Sequence, residues 1–178
     1  MHKHMSPHGD FDHMCDSLYL IDKFKVENVI FNCGEFKALE KELIKKLNKS
    51  KVNYCFCIKE LSIGKYKLDF LNTKDYDNEN DNSSVIYLKF NNYKFLFMGD
   101  AGEKRENDIL EKYDLKNIDF LKIGHHGSNT SSSKEFISKV KPKYSLISVG
   151  KNNRYGYPKE EVLNTLKSSK IYRWKYYV

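Results

Sequence analysis

The chain has 178 residues, which is enough for one compact domain with a real core and too few for two. Its hydrophobic share of 40% and aromatic share of 14% exclude a disordered chain. The formal charge of +7 suits a polyanionic substrate, although much of the excess lysine, as in Lys41 to Lys51, fits the solvated face of a helix equally well.

No run approaches the roughly 18 apolar residues of a membrane span, and the N-terminus lacks the apolar region of a signal peptide. We therefore expect a cytoplasmic protein without a membrane segment. The cysteines sit in or beside apolar runs and Cys55-x-Cys57 has the wrong spacing for a zinc knuckle. They are expected to be ordinary buried or half-buried thiols.

The first half of the chain predicts a strand, turn and helix unit followed by two more strands. Apolar residues at helical or alternating spacing define each element. The expected elements are a helix at 17–25, a strand at 26–32, a helix at 35–49, and strands at 52–58 and 66–70.

The second half alternates strands with helices after a polar loop at 72–83. Asn91-Asn92 tolerates positive φ and predicts a hairpin between strands at 85–90 and 93–98. The later elements are a helix at 103–113, a strand at 118–123, a helix at 133–140, a strand at 144–149, a loop at 152–158, a helix at 160–168 and a strand at 171–176. This alternation, without a dividing linker, predicts a single layered α/β domain over 1–178.

The histidines are clustered. Four of the six lie in the first thirteen residues and the other two are adjacent, at His125 and His126. The segment from His8 to His13, HGDFDH, places four potential metal ligands within six residues. Imidazole mixed with carboxylate suits Zn²⁺ or Mn²⁺. The segment by itself is also compatible with a solvated turn or a His-rich leader.

Two further groups follow the ends of predicted strands. Asp100 comes after Gly99, where a carboxylate at the sheet edge could bridge two metals, although Asp before a helix is also good capping chemistry. His125 and His126 precede Gly127 on a loop, where sites are commonly assembled. The hydroxyls between Ser128 and Ser133 could serve a site or cap the next helix.

These residues resemble a known family. HGDFDH is similar to the HxHxDH signature of the metallo-β-lactamase superfamily in its HxDxDH form. NSSVIYL, FLFMGD, LKIGHHGSNTSSS and NRYGYP follow in the order seen in the hydrolase domain of ComEC-type DNA-internalisation competence proteins. The resemblance implies an αβ/βα sandwich that is incomplete at its N-terminus, because the family's first strands normally precede the metal motif.

The resemblance also implies roles for individual residues. One or two ions, Zn²⁺ or Mn²⁺, would be bound by the following metal ligands: His8, Asp10, Asp12, His13, Asp100 and His125. Asp12 and His126 are the candidate catalytic residues, and Ser128, Ser131 and Tyr157 the candidate substrate contacts. The implied reaction is hydrolysis of DNA or another phosphodiester by a metal-bound hydroxide.

The chain departs from the family pattern at several positions, and Cys15-Asp16 stands where Gly-Gly usually follows the first motif. Tyr157 replaces the histidine of a YGHP segment, and the polar residues Asn82 and Ser84 stand near the position of the superfamily's third-motif histidine. These departures keep two alternatives open: a degenerate, inactive fragment or binding module of the same fold, and a lactonase or other small-ester hydrolase.

Overall fold

The computed structural model describes residues 2–5, 9 and 14–176, which form two β-sheets with associated helices. The strands are β1 (His2–Met5), β2 (Val26–Phe31), β3 (Asn53–Phe56), β4 (Glu60–Ile63), β5 (Tyr66–Phe70), β6 (Ile86–Phe90), β7 (Tyr93–Phe97), β8 (Phe120–Lys122), β9 (Tyr144–Gly150) and β10 (Lys170–Tyr176). The helices are α1 (Ser17–Lys23), α2 (Ala38–Ser50), α3 (Glu103–Lys112), α4 (Lys134–Val140) and α5 (Glu160–Thr165). None of the described helices has the length and apolar character needed to cross a bilayer.

The N-terminal sheet has three parallel strands in the order β1-β2-β3. Its small core combines apolar side chains of β2 with those that α1 and α2 turn toward it. The buried members are Met14, Ile21, Val29, Phe31, Leu43 and Leu47. Since Leu43 and Leu47 are one helical turn apart, the amphipathic pattern of α2 accounts for this packing.

The larger sheet has seven strands in the order β10-β9-β8-β7-β6-β5-β4. Strands β4 to β7 pair antiparallel, whereas β7, β8, β9 and β10 pair in parallel. The carboxyl ends of the parallel strands therefore meet at one edge of the sheet, which is where sites form in parallel sheets. Asp100, the Gly124–Gly127 turn and the loop at 151–158 all follow strands of this group.

The two faces of the seven-stranded sheet differ in chemistry. One face buries Leu96, Leu121 and Ile147 in a core shared with residues of α3, α4 and α5. The other carries a row of aromatic rings, in which Phe120 stacks on Phe95 and on Tyr144 with centroid distances of 4.7 and 4.9 Å. Beyond it on β10, Trp174 is 77% exposed.

Most of the expected elements are present within one to three residues of their predicted limits. The predicted hairpin is confirmed, with Asn91 at φ 53°, and Ser133 caps α4 by accepting a hydrogen bond from the backbone N–H of Phe136. The expected strand at 118–123 is shorter, at Phe120–Lys122. Two strands were not predicted. β1 (HKHM) has too little apolar pattern, and β4 is only four residues long.

The prediction for the cysteines was wrong. Cys33 and Cys57 form a disulfide, and Cys15 and Cys55 are exposed. Cys33 lies beyond the end of β2, and Cys57 directly follows β3. These strands are parallel neighbours, so their ends lie at the same edge of the sheet. The cross-link depends on strand pairing across 24 residues, which local pattern does not reveal.

Candidate functional site

The turn after β7 and the turn after β8 are joined by the backbone. The His125 N–H donates to the Gly99 carbonyl at 3.0 Å, and Gly99 itself has φ 57°. The Asp100 N–H donates to the Ser83 hydroxyl at 3.0 Å, and the residue is 4% exposed. Helix α3 begins after Gly102 without a side-chain cap, so the capping interpretation of Asp100 is wrong.

His126 lies beside Asp100 and is held in one orientation. Its Nδ1 is 2.8 Å from the Ser148 carbonyl, which can only accept, so Nδ1 carries the proton. Its Nε2 lies 3.8 Å from Asp100 Oδ1. Metal-binding histidines commonly donate one ring N–H to a backbone carbonyl in this way, which leaves the other ring nitrogen available for a metal.

His125 points to different partners. Its Nδ1 is 3.3 Å from the Thr130 hydroxyl and its ring meets the Tyr157 ring edge-on at 5.7 Å. Both histidines occupy the left-handed region, at φ 43° and 53°, which is uncommon outside glycine and clusters at functional sites. The described contacts place His126 nearer to Asp100, and the assignment of His125 as the metal ligand stays a prediction.

The two candidate serines are buried in the loop that follows. Ser131 is 2% exposed, and its hydroxyl lies 2.9 Å from the Gly124 carbonyl and 3.1 Å from the Ser128 carbonyl. The Ser128 hydroxyl is 3.0 Å from that of Thr130. These hydrogen bonds stabilise the His125–His126 turn, and a substrate contact by either serine stays a prediction.

The first metal motif is described only at Gly9, because His8, Asp10, Asp12 and His13 lie outside the described residues. The Gly9 N–H donates to Glu79 Oε1 at 3.0 Å. A Cβ on Gly9 would clash with the Glu40 carboxylate, so a larger residue at this position would require the Glu40 side chain to shift. Glu40 is fully buried and also accepts a hydrogen bond from the Lys37 N–H at 2.8 Å.

Glu79 belongs to the turn Glu79–Asn82, which leads directly to Ser83 and its contact with Asp100. In the same turn, Asp81 Oδ1 accepts from the Gly102 N–H at 2.8 Å. Segment 79–83 therefore connects Gly9 with the turn that carries Asp100. Asn82 is buried and bonds both the N–H and the carbonyl of Tyr76, at 2.9 and 2.7 Å.

Sequence reasoning missed Glu40 and Glu79. Glu40 had a usable signal, because it stands one turn before Leu43 on the buried face of α2, where a carboxylate is costly unless it is bonded. Glu79 had none, since it lies in a polar loop among other acidic residues. Its contact with Gly9 spans 70 residues.

The charges around Asp100 include the half-buried ammonium group of Lys122. Burial lowers the pKa of the Lys122 ammonium group, and the Asp100 carboxylate partly opposes this shift. Lys122 Nζ also donates to the Ile123 carbonyl at 3.0 Å. Within the described ranges, no three His, Cys, Asp or Glu side chains are close enough together to hold a metal ion. Asp100 and His126 nevertheless supply the carboxylate and imidazole donors that Zn²⁺ or Mn²⁺ prefers.

Comparison with known proteins identifies relatives among bacterial competence and recombination proteins. The chain is 28% identical over 176 residues to ComE operon protein 3 of Bacillus subtilis, covering 92% of this chain and 22% of that protein. It is 36% identical over 106 residues to competence protein ComA of Neisseria gonorrhoeae, covering 58% of this chain and 15% of that protein. Recombination protein 2 of Haemophilus influenzae is 36% identical over 88 residues, covering 49% of this chain and 11% of that protein. The chain thus spans about a fifth or less of these relatives.

Solved structures share the fold at low sequence identity. The metallo-beta-lactamase fold protein YhfI from Bacillus subtilis matches with a TM-score of 0.61 at 11% identity, covering 98% of this chain and 75% of that one. A putative metal-dependent hydrolase from Parabacteroides distasonis matches with a TM-score of 0.55 at 14% identity, covering 96% of this chain and 74% of that one. The expected fold class is confirmed. Since the model of the metallo-beta-lactamase superfamily matches residues 58–151, more than half of the sequence, the chain belongs to that superfamily.

Proposed function

We propose that this chain is a metal-dependent hydrolase domain that cleaves phosphodiester bonds of DNA. The observation that carries the proposal is the pairing of Asp100 with His126, whose Nε2 faces the carboxylate at 3.8 Å while the Ser148 carbonyl holds the opposite ring nitrogen. Three relatives are named for competence or recombination, which supports a DNA substrate. The net charge of +7 favours an anionic one.

The proposed metal ligands combine the family motif with local geometry. Asp100 and one or both of His125 and His126 would supply donors from the seven-stranded sheet. The HGDFDH motif would supply the rest, namely His8, Asp10, Asp12 and His13. One or two divalent ions held there, Zn²⁺ or Mn²⁺, would lower the pKa of water and stabilise charge on a phosphodiester.

The protein groups would orient the substrate and move protons. Asp12 is a proposed proton-transferring residue, and so is His126 if His125 is the metal ligand; the Ser148 carbonyl keeps the His126 tautomer fixed. Ser128, Ser131 and Tyr157 are proposed on the substrate side. The Tyr157 hydroxyl can donate a hydrogen bond to a phosphate oxygen, as the histidine usual at this position would.

The direct test uses protein stripped of metal with a chelator and then supplied with Zn²⁺ or Mn²⁺. We expect hydrolysis of DNA and of bis(p-nitrophenyl) phosphate only after metal is restored. Asp100→Asn should lower the rate by more than about 100-fold, because even partners outside the ligand set cost 10- to 100-fold. Asp114→Asn is the matched control, since that carboxylate is 75% exposed in a surface ion pair.

Two outcomes would contradict the proposal. Rapid opening of a lactone with no phosphodiester cleavage would mean that the chain is a small-ester hydrolase. If the protein folds cooperatively but does not bind metal stoichiometrically, the chain is an inactive binding module. Comparing His125→Gln with His126→Gln then shows whether one or both are ligands, since each ligand variant loses metal and a non-ligand variant retains it.

The expected cytoplasmic location stays a prediction, and the Cys33–Cys57 disulfide weighs against it. Disulfides persist in oxidising compartments and are rare in the cytosol. Alkylation of the protein as isolated from cells, followed by mass analysis, decides between an oxidising compartment and the reducing cytosol. Two reactive cysteines indicate an oxidising compartment, and four indicate a reducing one.

A further inference from the structure

The loop after β9 carries a row of planar side chains next to the candidate site. Tyr155 and Tyr157 are stacked, with centroids 5.5 Å apart and ring planes 20° apart. The Arg154 guanidinium lies 4.9 Å from the Tyr155 ring centroid and donates to the Tyr155 hydroxyl at 2.6 Å. At the inner end, the Tyr157 ring meets that of His125 at 5.7 Å. The row thus runs outward from the His125–His126 turn.

The backbone of this loop is held in place by specific hydrogen bonds. The Asn153 amide accepts from the Tyr157 N–H at 2.8 Å and donates to the Tyr157 carbonyl at 2.9 Å. The Lys159 N–H donates to the Gly127 carbonyl at 2.9 Å, which ties the loop to the histidine turn. A Cβ on Gly127 would stand 2.5 Å from Pro158 Cβ, so glycine is required for this close approach. The row is therefore built into the site.

The outer end of the row is open to solvent and flanked by cations. Tyr155 is 54% exposed, although its ring is stacked against a neighbour. Lys159 Nζ donates to the Tyr155 carbonyl at 2.7 Å and lies 5.5 Å from the Tyr157 ring centroid. Exposed aromatic rings with Arg or Lys beside them are the combination by which proteins hold unpaired nucleobases and their phosphates.

We propose that Tyr155, together with Arg154 and Tyr157, forms a base-stacking subsite that selects DNA with an unpaired base next to the bond to be cleaved. The inference rests on the proposed function, because it names the form of DNA that the same site prefers. A base inside a duplex is already stacked on both faces and cannot reach the row. Single strands and frayed ends are therefore the preferred substrates over intact duplex.

The test measures binding separately from cleavage. Metal-free protein, kept in chelator, is titrated into a labelled oligothymidine of twelve residues and into a strand of twelve abasic residues, with fluorescence anisotropy as the readout. We expect oligothymidine to bind more tightly. Tyr155→Ala should weaken oligothymidine binding by about 5- to 150-fold and leave the abasic strand unchanged, because stacking contributes about 1–3 kcal/mol per base.

Three variants control for indirect effects. Tyr19→Ala removes a tyrosine of similar exposure, 59%, on α1 and should bind both strands like the unaltered chain. Tyr155→Trp retains a planar ring and should preserve the preference for oligothymidine. Tyr155→Leu retains apolar bulk without a ring and should lose it. Thermal melts by circular dichroism confirm that each variant is folded.

The outcomes separate the two proposals. If Tyr155→Ala binds both strands as the unaltered chain does, or if the unaltered chain does not distinguish them, the subsite is wrong even where DNA is cleaved. If base-dependent binding is found without metal-dependent cleavage, the proposed function fails and the subsite stands. Faster cleavage of duplex than of single-stranded DNA would also overturn the subsite.

Discussion

The seven-stranded sheet and the three-stranded sheet contribute to the site in different ways. Among the described residues, the core of the larger sheet has sixteen buried apolar residues and that of the smaller sheet has six. The turns that carry Asp100 and His125 are bonded to each other through Gly99. The motif that follows β1 is described only at Gly9, which touches Glu40 and Glu79.

This difference indicates how the site is stabilised. The half with Asp100 and the adjacent histidines belongs to a large packed unit, in which backbone and carbonyl hydrogen bonds set the geometry. The half with Gly9 has contacts from two carboxylates, Glu40 and Glu79, and contains the Cys33–Cys57 disulfide elsewhere in the same sheet. We expect the smaller half to be the more easily disturbed of the two.

The largest effects should come from matched cavities in the two cores. Leu43→Ala and Leu121→Ala each remove a fully buried side chain and should lower the free energy of unfolding by about 2–5 kcal/mol. Urea unfolding followed by circular dichroism is the measurement. If the halves unfold separately, Leu43→Ala should shift an early transition and leave the later one unchanged. One shared transition shifted equally by both variants would remove the distinction between the halves.

The next effect concerns the disulfide. Replacing Cys33 and Cys57 together by serine should cost about 3 kcal/mol of unfolding free energy, because a cross-link spanning 24 residues restricts the unfolded chain. Cys55→Ser, at an exposed free cysteine, is the control and should change little. Reductant should reproduce the effect in the unaltered chain. Equal melting of oxidised and reduced protein would show that the cross-link does not stabilise the smaller sheet.

A smaller effect is expected where the halves meet. Glu79→Gln weakens the acceptor for the Gly9 N–H and should reduce metal affinity by about 10- to 100-fold, the range found for partners that orient metal ligands. Isothermal titration with Zn²⁺ measures it. The neighbouring exposed carboxylate variant Asp77→Asn is the control. Unchanged affinity in Glu79→Gln would mean that the motif does not depend on this contact.

The smallest effect should be a gain in stability at Lys122. Burial lowers the pKa of Lys122 in the folded state below the unfolded value of about 10.4. The charged ammonium group therefore destabilises the folded state. This penalty is complete below the folded pKa and disappears as pH rises to the unfolded pKa. Lys122→Met should therefore be more stable than the unaltered chain at pH 7, by a margin that shrinks toward pH 10.

The measurement is urea unfolding at both pH values. Lys116→Met, at a lysine that is 69% exposed, is the control and should show no such change with pH. A Lys122→Met variant that is less stable at pH 7 would mean that the ammonium group contributes net stability through Asp100.

The order of elements could be predicted because hydrophobic periodicity and turn residues are local. The spacing around Asn91 indicated the hairpin, and Ser133 indicated the start of α4. The positions of Asp100 and His125 after their strands followed from the same reading, together with their resemblance to the family. The His-rich β1 was missed because its pairing with β2, rather than its own pattern, makes it a strand.

Sequence by itself determined which residues carry imidazole and carboxylate groups, where they stand relative to strand ends, and to which superfamily the motifs belong. Tertiary structure alone decided that His126 rather than His125 faces Asp100, that Cys33 bonds Cys57, and that Glu79 reaches Gly9. The physical reason is that these contacts depend on strand order and on left-handed loop conformations. Both are set by packing between segments far apart in the chain, which no local pattern encodes.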